Sequence, residues 1–357
     1  AGRGELPRRI VQAAQAAERP FFVIAFNGET EPDTVADGVE HAWVDLPTVG
    51  RTIKLLKEAG LDEPPLWKSR PPETRARMAR WKDLGKVRNG PVNRNRTEIT
   101  DVAAATESFR QRALDLGATV VGVARLTPIM VAEGVEIDHE FIFCLVVGEN
   151  YEASLGGPRS IETESTSTYV RCAEISTELA LHVRAMGYDA TAHHNGGDDI
   201  MALPALYAAG FGELGKHGSL IHPELGAGFR PGFVTTSMPL TVDAPIEFGV
   251  QDVCTKCNIC TMNCPADAIP APDDFITTEG VKRWITDVEK CYTVSRLREQ
   301  YCHICVDVCP YVHKANGDEH KKALYKQYMG VRKKVGYRTP GWWPEDPPPH
   351  VKKALSQ

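Results

Sequence analysis

Ten cysteines stand in this 357-residue chain, and eight of them crowd between Cys254 and Cys309. The run Cys254-Thr-Lys-Cys257-Asn-Ile-Cys260-Thr-Met-Asn-Cys264-Pro265 has the spacing C-x2-C-x2-C-x3-C-P. Cys291 follows, and then Cys302-His-Ile-Cys305-Val-Asp-Val-Cys309-Pro310. Three closely spaced thiolates can grip three corners of one iron–sulfur cube, while the fourth cysteine of such a run ligates another cube. The spacing predicts two [4Fe-4S] clusters, the first on Cys254, Cys257, Cys260 and Cys309, the second on Cys264, Cys291, Cys302 and Cys305. Zinc is a poorer match, because a tetrahedral S4 site needs neither a third cysteine at this spacing nor the Cys-Pro terminators. Disulfide frameworks belong to short secreted chains rather than to one stretch of a long one.

Glycine loops are the second chemical feature. Gly210-Phe-Gly212-Glu213-Leu214-Gly215 formally matches G-x-G-x-x-G, but a dinucleotide site needs a strand before it and a helix after it. A helical pattern, Ile200 to Ala209, precedes it here, and Lys216-His217-Gly218 follows, so that reading fails. What the glycines offer is close backbone approach to something flat or bulky. His193-His194-Asn195-Gly196-Gly197 could form another edge of the same pocket. For His193, His194, His217 and His222, pocket and structural roles both stay open. Cys144 and Cys172 read as small buried hydrophobes, although Cys172 lies one helical turn after Tyr169 and so shares its face.

The elements that must position these groups begin at about Asp101. Ala103 to Leu116 has helical apolar spacing with Gly117 as C-cap, Thr119 to Ala124 and Phe141 to Val147 read as buried strands, and Ser165 to Met186 is a long amphipathic helix. A short strand, Tyr188 to Ala192, precedes the second glycine turn. Helices alternating with few strands predict an α+β fold, layered as α/β, with the cysteine module appended. The organisation expected is an N-terminal wrapping region (1–100), a cofactor-binding domain (101–245), the double-cluster module (246–315) and a C-terminal basic helix with an extended Pro-rich tail (316–357). Before it, Arg8 to Ala17 and Val49 to Ala59 read as helices and Phe21 to Phe26 as a strand. The basic stretch Pro64 to Arg96, with Trp67 and Trp81, reads as a solvated, Pro-broken wrap.

With 42% hydrophobic and 25% charged residues, the chain is an ordinary globular protein with material for a large core. A net charge of −6 argues against general nucleic-acid binding. No apolar run approaches the roughly 18 residues of a membrane span. A cytoplasmic location is expected, with an exported form after loss of a leader before Ala1 kept open.

Gly210 to Arg230 resembles the segment that leads, in reductive dehalogenases, through a T-D-L-P-L-like stretch into a double cluster motif. That stretch is here Thr236-Ser237-Met238-Pro239-Leu240, followed by Phe248-Gly249-Val250 and Cys254. The resemblance runs back through His182 to Tyr188, Tyr169 and Leu116 to Ile129, and covers roughly residues 100 to 315. It implies a nitroreductase-like corrinoid-binding core with a ferredoxin-like two-cluster module. It also implies that Tyr169 is the proton donor with Arg230 beside it, and that Asn195, Gly196, Gly212, Glu213, Leu214, Gly215, Lys216 and Gly218 contact the corrinoid. A phenol with a pKa of about 10 is a poor acid at neutral pH, and an adjacent guanidinium makes it a better one.

Two departures stand out. Ser237 replaces the usual acid, which puts a local hydrogen-bonding role in doubt. Asp318-Glu-His320-Lys-Lys-Ala323 lacks the glycine of a D-x-H-x-x-G corrinoid motif, so base-off cobalamin without a protein ligand on its lower face is implied. The function implied is replacement of halogen by hydrogen in an organohalide, with electrons from an external ferredoxin, flavodoxin or reductase passing through both clusters. The alternatives are an epoxyqueuosine-reductase-like enzyme acting on tRNA, disfavoured by Asn195-Gly-Gly-Asp-Asp199 where an Asp-x-Gly-Pro stretch would stand, and a non-catalytic two-cluster electron carrier, which leaves some 250 preceding residues unexplained.

Overall fold

The computed structural model describes residues 23–26, 41–44, 70–155, 158–194, 199–255, 257–264, 266–278, 281–292 and 301–313. Strands β1 (Val23–Phe26) and β2 (His41–Val44) pair in parallel with each other. The order then runs helix α1 (Pro72–Gly85), α2 (Val102–Asp115), β3 (Val120–Arg125), β4 (Phe141–Gly148), the long helix α3 (Pro158–Ala185), β5 (Ala190–His194), the short helix α4 (Ala202–Ala208), β6 (Glu213–Leu214), β7 (Leu220–Ile221) and β8 (Phe229–Thr236). The expected helices Arg8 to Ala17 and Val49 to Ala59, the C-terminal basic helix and the Pro-rich tail lie outside the described residues.

Four of these strands form an antiparallel sheet in the order β3-β4-β8-β5. Every residue of β4 but the last is buried, because the sheet is covered on both faces. Alternation along the strand sends Phe143, Leu145 and Val147 into one apolar layer with α2 and α3, and Ile142, Cys144 and Val146 into another with α4 and Phe211. The same alternation along β8 turns Arg230, Gly232 and Val234 toward α3, with Phe229 and Phe233 on the far side. The fold is mixed α/β, as the sequence pattern implies.

The sequence gives no warning of β8, since Pro231-Gly232 reads as a turn. Pro231 is tolerated one residue beyond the last β5–β8 pair, His194 with Gly232. Gly232 lets the strand approach α3, for a Cβ there would lie 3.0 Å from the Cys172 carbonyl oxygen. Within its described residues, the stretch expected as a solvated wrap over Pro64 to Arg96 is largely exposed and lies against the main domain, but it is not Pro-broken. Residues 72–85 are helical and pack against α3, and Arg70 is buried, paired with Glu162 at 2.6 Å. Pro71 and Pro72 start that helix rather than break it, because a first-turn residue has no intrahelical N–H bond to lose.

After β8 the chain changes character. Short helices Val250–Cys254, Ile259–Asn263, Val288–Tyr292 and Ile304–Asp307 each hold one cysteine, Cys257, Cys264, Cys302 and Cys309 lie in the connections, and a hairpin of β9 (Ile276–Thr278) with β10 (Val281–Arg283) packs among them. The apolar clusters here are built partly from the cysteines themselves: Cys260, Cys264, Cys291, Cys302 and Cys305 around Ile304 and Val308, and Cys254, Cys305 and Cys309 around Trp284 and Val306.

Candidate active site

On the α3 face of the sheet, four elements bring side chains together. Tyr169 projects from α3, and the Arg230 guanidinium of β8 lies over its ring at 5.2 Å. Trp81 of α1 stacks on the same phenol, with ring centroids 5.3 Å apart and planes inclined by 12°. Trp81 Nε1–H donates to His194 Nδ1 at 3.0 Å, which draws in the end of β5. Cys172, one turn beyond Tyr169, is fully buried, and its Sγ–H donates to the Arg230 carbonyl at 3.1 Å. Cys172 therefore ties helix to strand beneath the Tyr169–Arg230 pair.

Arg230 is fixed from behind by Glu149, the residue after β4. Its Nε donates to Glu149 Oε1 at 2.8 Å, and its Nη2 donates to Ser165 Oγ at 3.2 Å and Tyr301 OH at 3.3 Å. The other Glu149 oxygen meets His303 Nε2 at 3.1 Å, an ionic contact without good hydrogen-bond alignment, and His303 Nδ1 lies 2.8 Å from Asp307 Oδ1. Burial alone would raise the Glu149 pKa, but Arg230 and His303 outweigh it and hold the carboxylate down at about 2. For His303 burial works against the charged ring, and Asp307 with Glu149 overcomes it, lifting the pKa to about 10. Arg230 is likewise pushed further up by Glu149 and then Tyr301 despite its burial.

The thiols gather into two groups. Burial pushes Cys309 up to about 12, and the neighbours that repel its thiolate are Cys260, Cys254 and Cys257. Cys305 is raised well above the ordinary thiol range by burial and then by Cys302, Cys291 and Cys264, with Cys260 the weakest. Buried thiolates that repel one another need a shared positive partner, which the irons of a cluster provide. Among the described residues no His, Cys, Asp or Glu group converges tightly enough for a single metal ion. A cube instead offers each thiolate its own iron corner.

Residues 253–312 match the family described as 4Fe-4S double cluster binding domain. Residues 1–64 match a different family, the LpxI N-terminal domain. The tetrachloroethene reductive dehalogenase of Sulfurospirillum multivorans is 29% identical over 352 residues, covering 82% of this chain and 68% of its own length. That of Desulfitobacterium hafniense is 31% identical over 179 residues, covering 47% of this chain and 32% of its own. Among solved structures, the catabolic reductive dehalogenase NpRdhA in complex with 3-bromo-4-hydroxybenzoic acid superposes with a TM-score of 0.65 at 25% identity, over 78% of this chain and 44% of that one. The chain is a homologue of the reductive dehalogenases. It spans under half of the NpRdhA chain and one third or so of the Desulfitobacterium enzyme, but 68% of the Sulfurospirillum one.

In this dehalogenase homologue the expected corrinoid contacts fare unevenly. Asn195 and Gly196 lie outside the described residues. Gly212 and Gly215 face β7: a Cβ on Gly212 would lie 1.9 Å from the Ile221 carbonyl oxygen, and one on Gly215 2.6 Å from Ile221 Cδ1. Leu214 pairs with Leu220 in the same hairpin, and Gly218 turns with φ +81° beside Thr286. Glu213 Oε2 accepts from the Phe248 and Val250 amides at 2.6 and 3.1 Å, anchoring the start of the cysteine module. The Lys216 amide donates to Cys254 Sγ at 3.4 Å and its Nζ donates to Thr261 Oγ1. Glu213 and Lys216 thus turn their polar groups to the cysteine module.

The other features sort as follows. His193 is buried, bonded to Thr235 Oγ1 at 2.8 Å and Asp199 at 3.2 Å, and His222 Nδ1 accepts the Glu224 and Leu225 amides of its own turn. His217 is different. Its Nδ1 accepts the Ser219 amide at 3.2 Å, so the proton sits on Nε2, which is buried with no hydrogen-bond partner among the described residues. Ser237 still makes a local bond: its Oγ accepts the Asp189 amide at 3.1 Å. A cavity of about 540 Å³ between α1 and α3, lined by Arg80, Leu84 and Leu181 among others, contains none of the groups above.

Trp81 and Glu149 are the site residues that sequence reading passes over. A tryptophan within a basic segment and a glutamate behind a strand-ending glycine both carry surface signals. Only the tertiary arrangement buries Glu149 and half-buries Trp81 against Tyr169.

Proposed function

We propose that this chain is a corrinoid-dependent reductive dehalogenase, replacing halogen by hydrogen in an organohalide. The observation that supports this most is the Tyr169–Arg230 pair, stacked under Trp81 and braced by Glu149 against a histidine inside the second cysteine motif. The B12-dependent dehalogenation named for a reductive dehalogenase structure with TM-score 0.63 and 25% identity extends the reading to the cofactor. Bound corrinoid would supply the reduced metal that breaks the carbon–halogen bond. The donor set accords with such a guest, since the buried Nε2–H of His217 offers a hydrogen bond that the described residues do not take up. We assign Cys254, Cys257, Cys260 and Cys309 to one cluster and Cys264, Cys291, Cys302 and Cys305 to the other.

The chain's own part is proton delivery and charge control. Tyr169 gives its phenolic proton to the substrate carbon as halide departs. Arg230, held in place by Glu149, stabilises the phenolate left behind. Trp81 shields the phenol from water on one face and fixes its ring plane. The core on this reading is nitroreductase-like, the corrinoid is base-off without a protein ligand beneath it, and electrons come from an external ferredoxin, flavodoxin or reductase. No helix among the described residues is long and apolar enough to cross a membrane.

The test is anaerobic reconstitution with cobalamin, iron and sulfide, followed by halide release from chlorinated, brominated and iodinated aromatics and alkenes. Tyr169→Phe is expected to lose roughly 10²–10⁴-fold in turnover, the range of a general acid, while its cluster and corrinoid absorbance stay unchanged. Near-normal halide release from that variant would remove Tyr169 from the mechanism.

A further inference from the structure

A buried row of alternating charges runs from the phenol to the second cysteine motif. Arg230 lies over Tyr169, Glu149 bridges Arg230 to His303, and Asp307 takes the other nitrogen of His303. Glu149 and Arg230 side chains are 2% and 17% exposed, and His303 and Asp307 are 6% and 1% exposed. His303 stands between Cys302 and Cys305 at the start of the short helix Ile304–Asp307, so one end of the row is embedded in the segment that carries half of the second thiol group. The Glu149 bridge itself lies in the interior, with only the Arg230 side partly open to solvent.

We propose that Glu149 is a positioning residue that couples the proton-donor pair to the second cluster, one oxygen holding Arg230 against Tyr169 and the other holding His303. The inference rests on the functional reading above for the presence of the clusters. Its consequence is electrostatic. Reduction adds one electron from the external donor to a cluster, and in a low-dielectric interior that added negative charge is felt by every ion in the row. Loss of a negative charge from the row favours the reduced cluster, and loss of a positive charge disfavours it. A packing role for Glu149 predicts no such sign rule.

The test is a redox titration of the reconstituted full chain, followed by electron paramagnetic resonance, with the second cluster's signal assigned by its disappearance in Cys291→Ala. Assembly of two clusters in the wild-type chain is checked first by iron content, so that a failure of the cluster reading is seen separately. Glu149→Gln is expected to move the second cluster to a more positive potential, and Arg230→Met to a more negative one, with the first cluster shifting less in both. Glu149→Asp should return the potential toward the wild-type value. An unchanged second-cluster potential in Arg230→Met overturns the proposal, and so do equal shifts of both clusters. Should Glu149→Gln fail to hold its clusters, the Arg230→Met titration decides alone.

Discussion

The sheet domain and the cysteine module solve the same problem by different means. In the sheet, β4 presents one apolar set to each face, and a 28-residue helix lies across the result. Tyr169 and Arg230 inherit their positions from this hydrogen-bonded frame. Among the described residues the cysteine module has helices of four and five residues and a hairpin of two three-residue strands, too short for regular structure to stand alone. Its apolar clusters count cysteines among their own members, so the groups proposed to hold iron also help to hold the fold. A positioned acid can rest on packing, whereas a cluster site makes its metal part of the packing.

The largest expected effect breaks this comparison open. Anaerobic removal of iron with a chelator should expose the region around Cys254 to Cys309 to limited proteolysis and leave the sheet domain as a resistant fragment containing Phe141 and Thr236. As thiolates Cys305, Cys302 and Cys291 would repel one another, so when iron leaves they revert to neutral thiols and nothing ties them together. Equal protease resistance of both regions after chelation would show that the module folds without metal.

The two regions also differ in how much of them the sequence announces. Cysteine ligands repeat at fixed short intervals, so Cys254 to Cys264 can be read as a group without any knowledge of the fold. β4 is legible because seven consecutive buried residues leave a continuous apolar run. Arg230 and Glu149 are 81 positions apart, and neither carries a local mark of the other. Trp81 reaches His194 across 113 positions, from a helix whose own residues look solvated. β8 hides behind a Pro-Gly pair whose tolerance depends on where β5 ends. The role proposed for Tyr169 is legible only through the ordered resemblance of the surrounding motifs, since a lone aromatic on a helix face usually means packing.

The seam between the regions is expected to respond to acid. Glu149, although buried, has its pKa depressed from 4.5 to about 2 by Arg230 and His303. A depressed carboxylate pKa means that the stabilisation is fully present above the ordinary value and is lost as pH falls toward the folded one. At about 1.4 kcal/mol per unit the contribution is on the order of 3 kcal/mol. Because a protonated carboxyl resembles an amide, the difference in unfolding midpoint between wild type and Glu149→Gln should be constant above pH of about 4.5 and narrow below it. A difference that grows on acidification would mean that the ion pair does not stabilise the seam.

The smallest effect should stay within the sheet domain. At Gly232 a Cβ would meet the Cys172 carbonyl oxygen at 3.0 Å and Cys172 Cβ at 3.2 Å, so Gly232→Val must push β8 away from α3. Overpacking of this kind costs about 1–3 kcal/mol. The displaced pair is the one that carries Arg230 beneath Tyr169, through the Cys172 thiol on the Arg230 carbonyl. Denaturant unfolding followed by tryptophan fluorescence should therefore show a lower midpoint for the sheet domain, while iron content and cluster absorbance remain at wild-type levels. If cluster content fell together with the sheet's stability, the two regions would be one cooperative unit, and the frame that positions Tyr169 would depend on the same metal as the module.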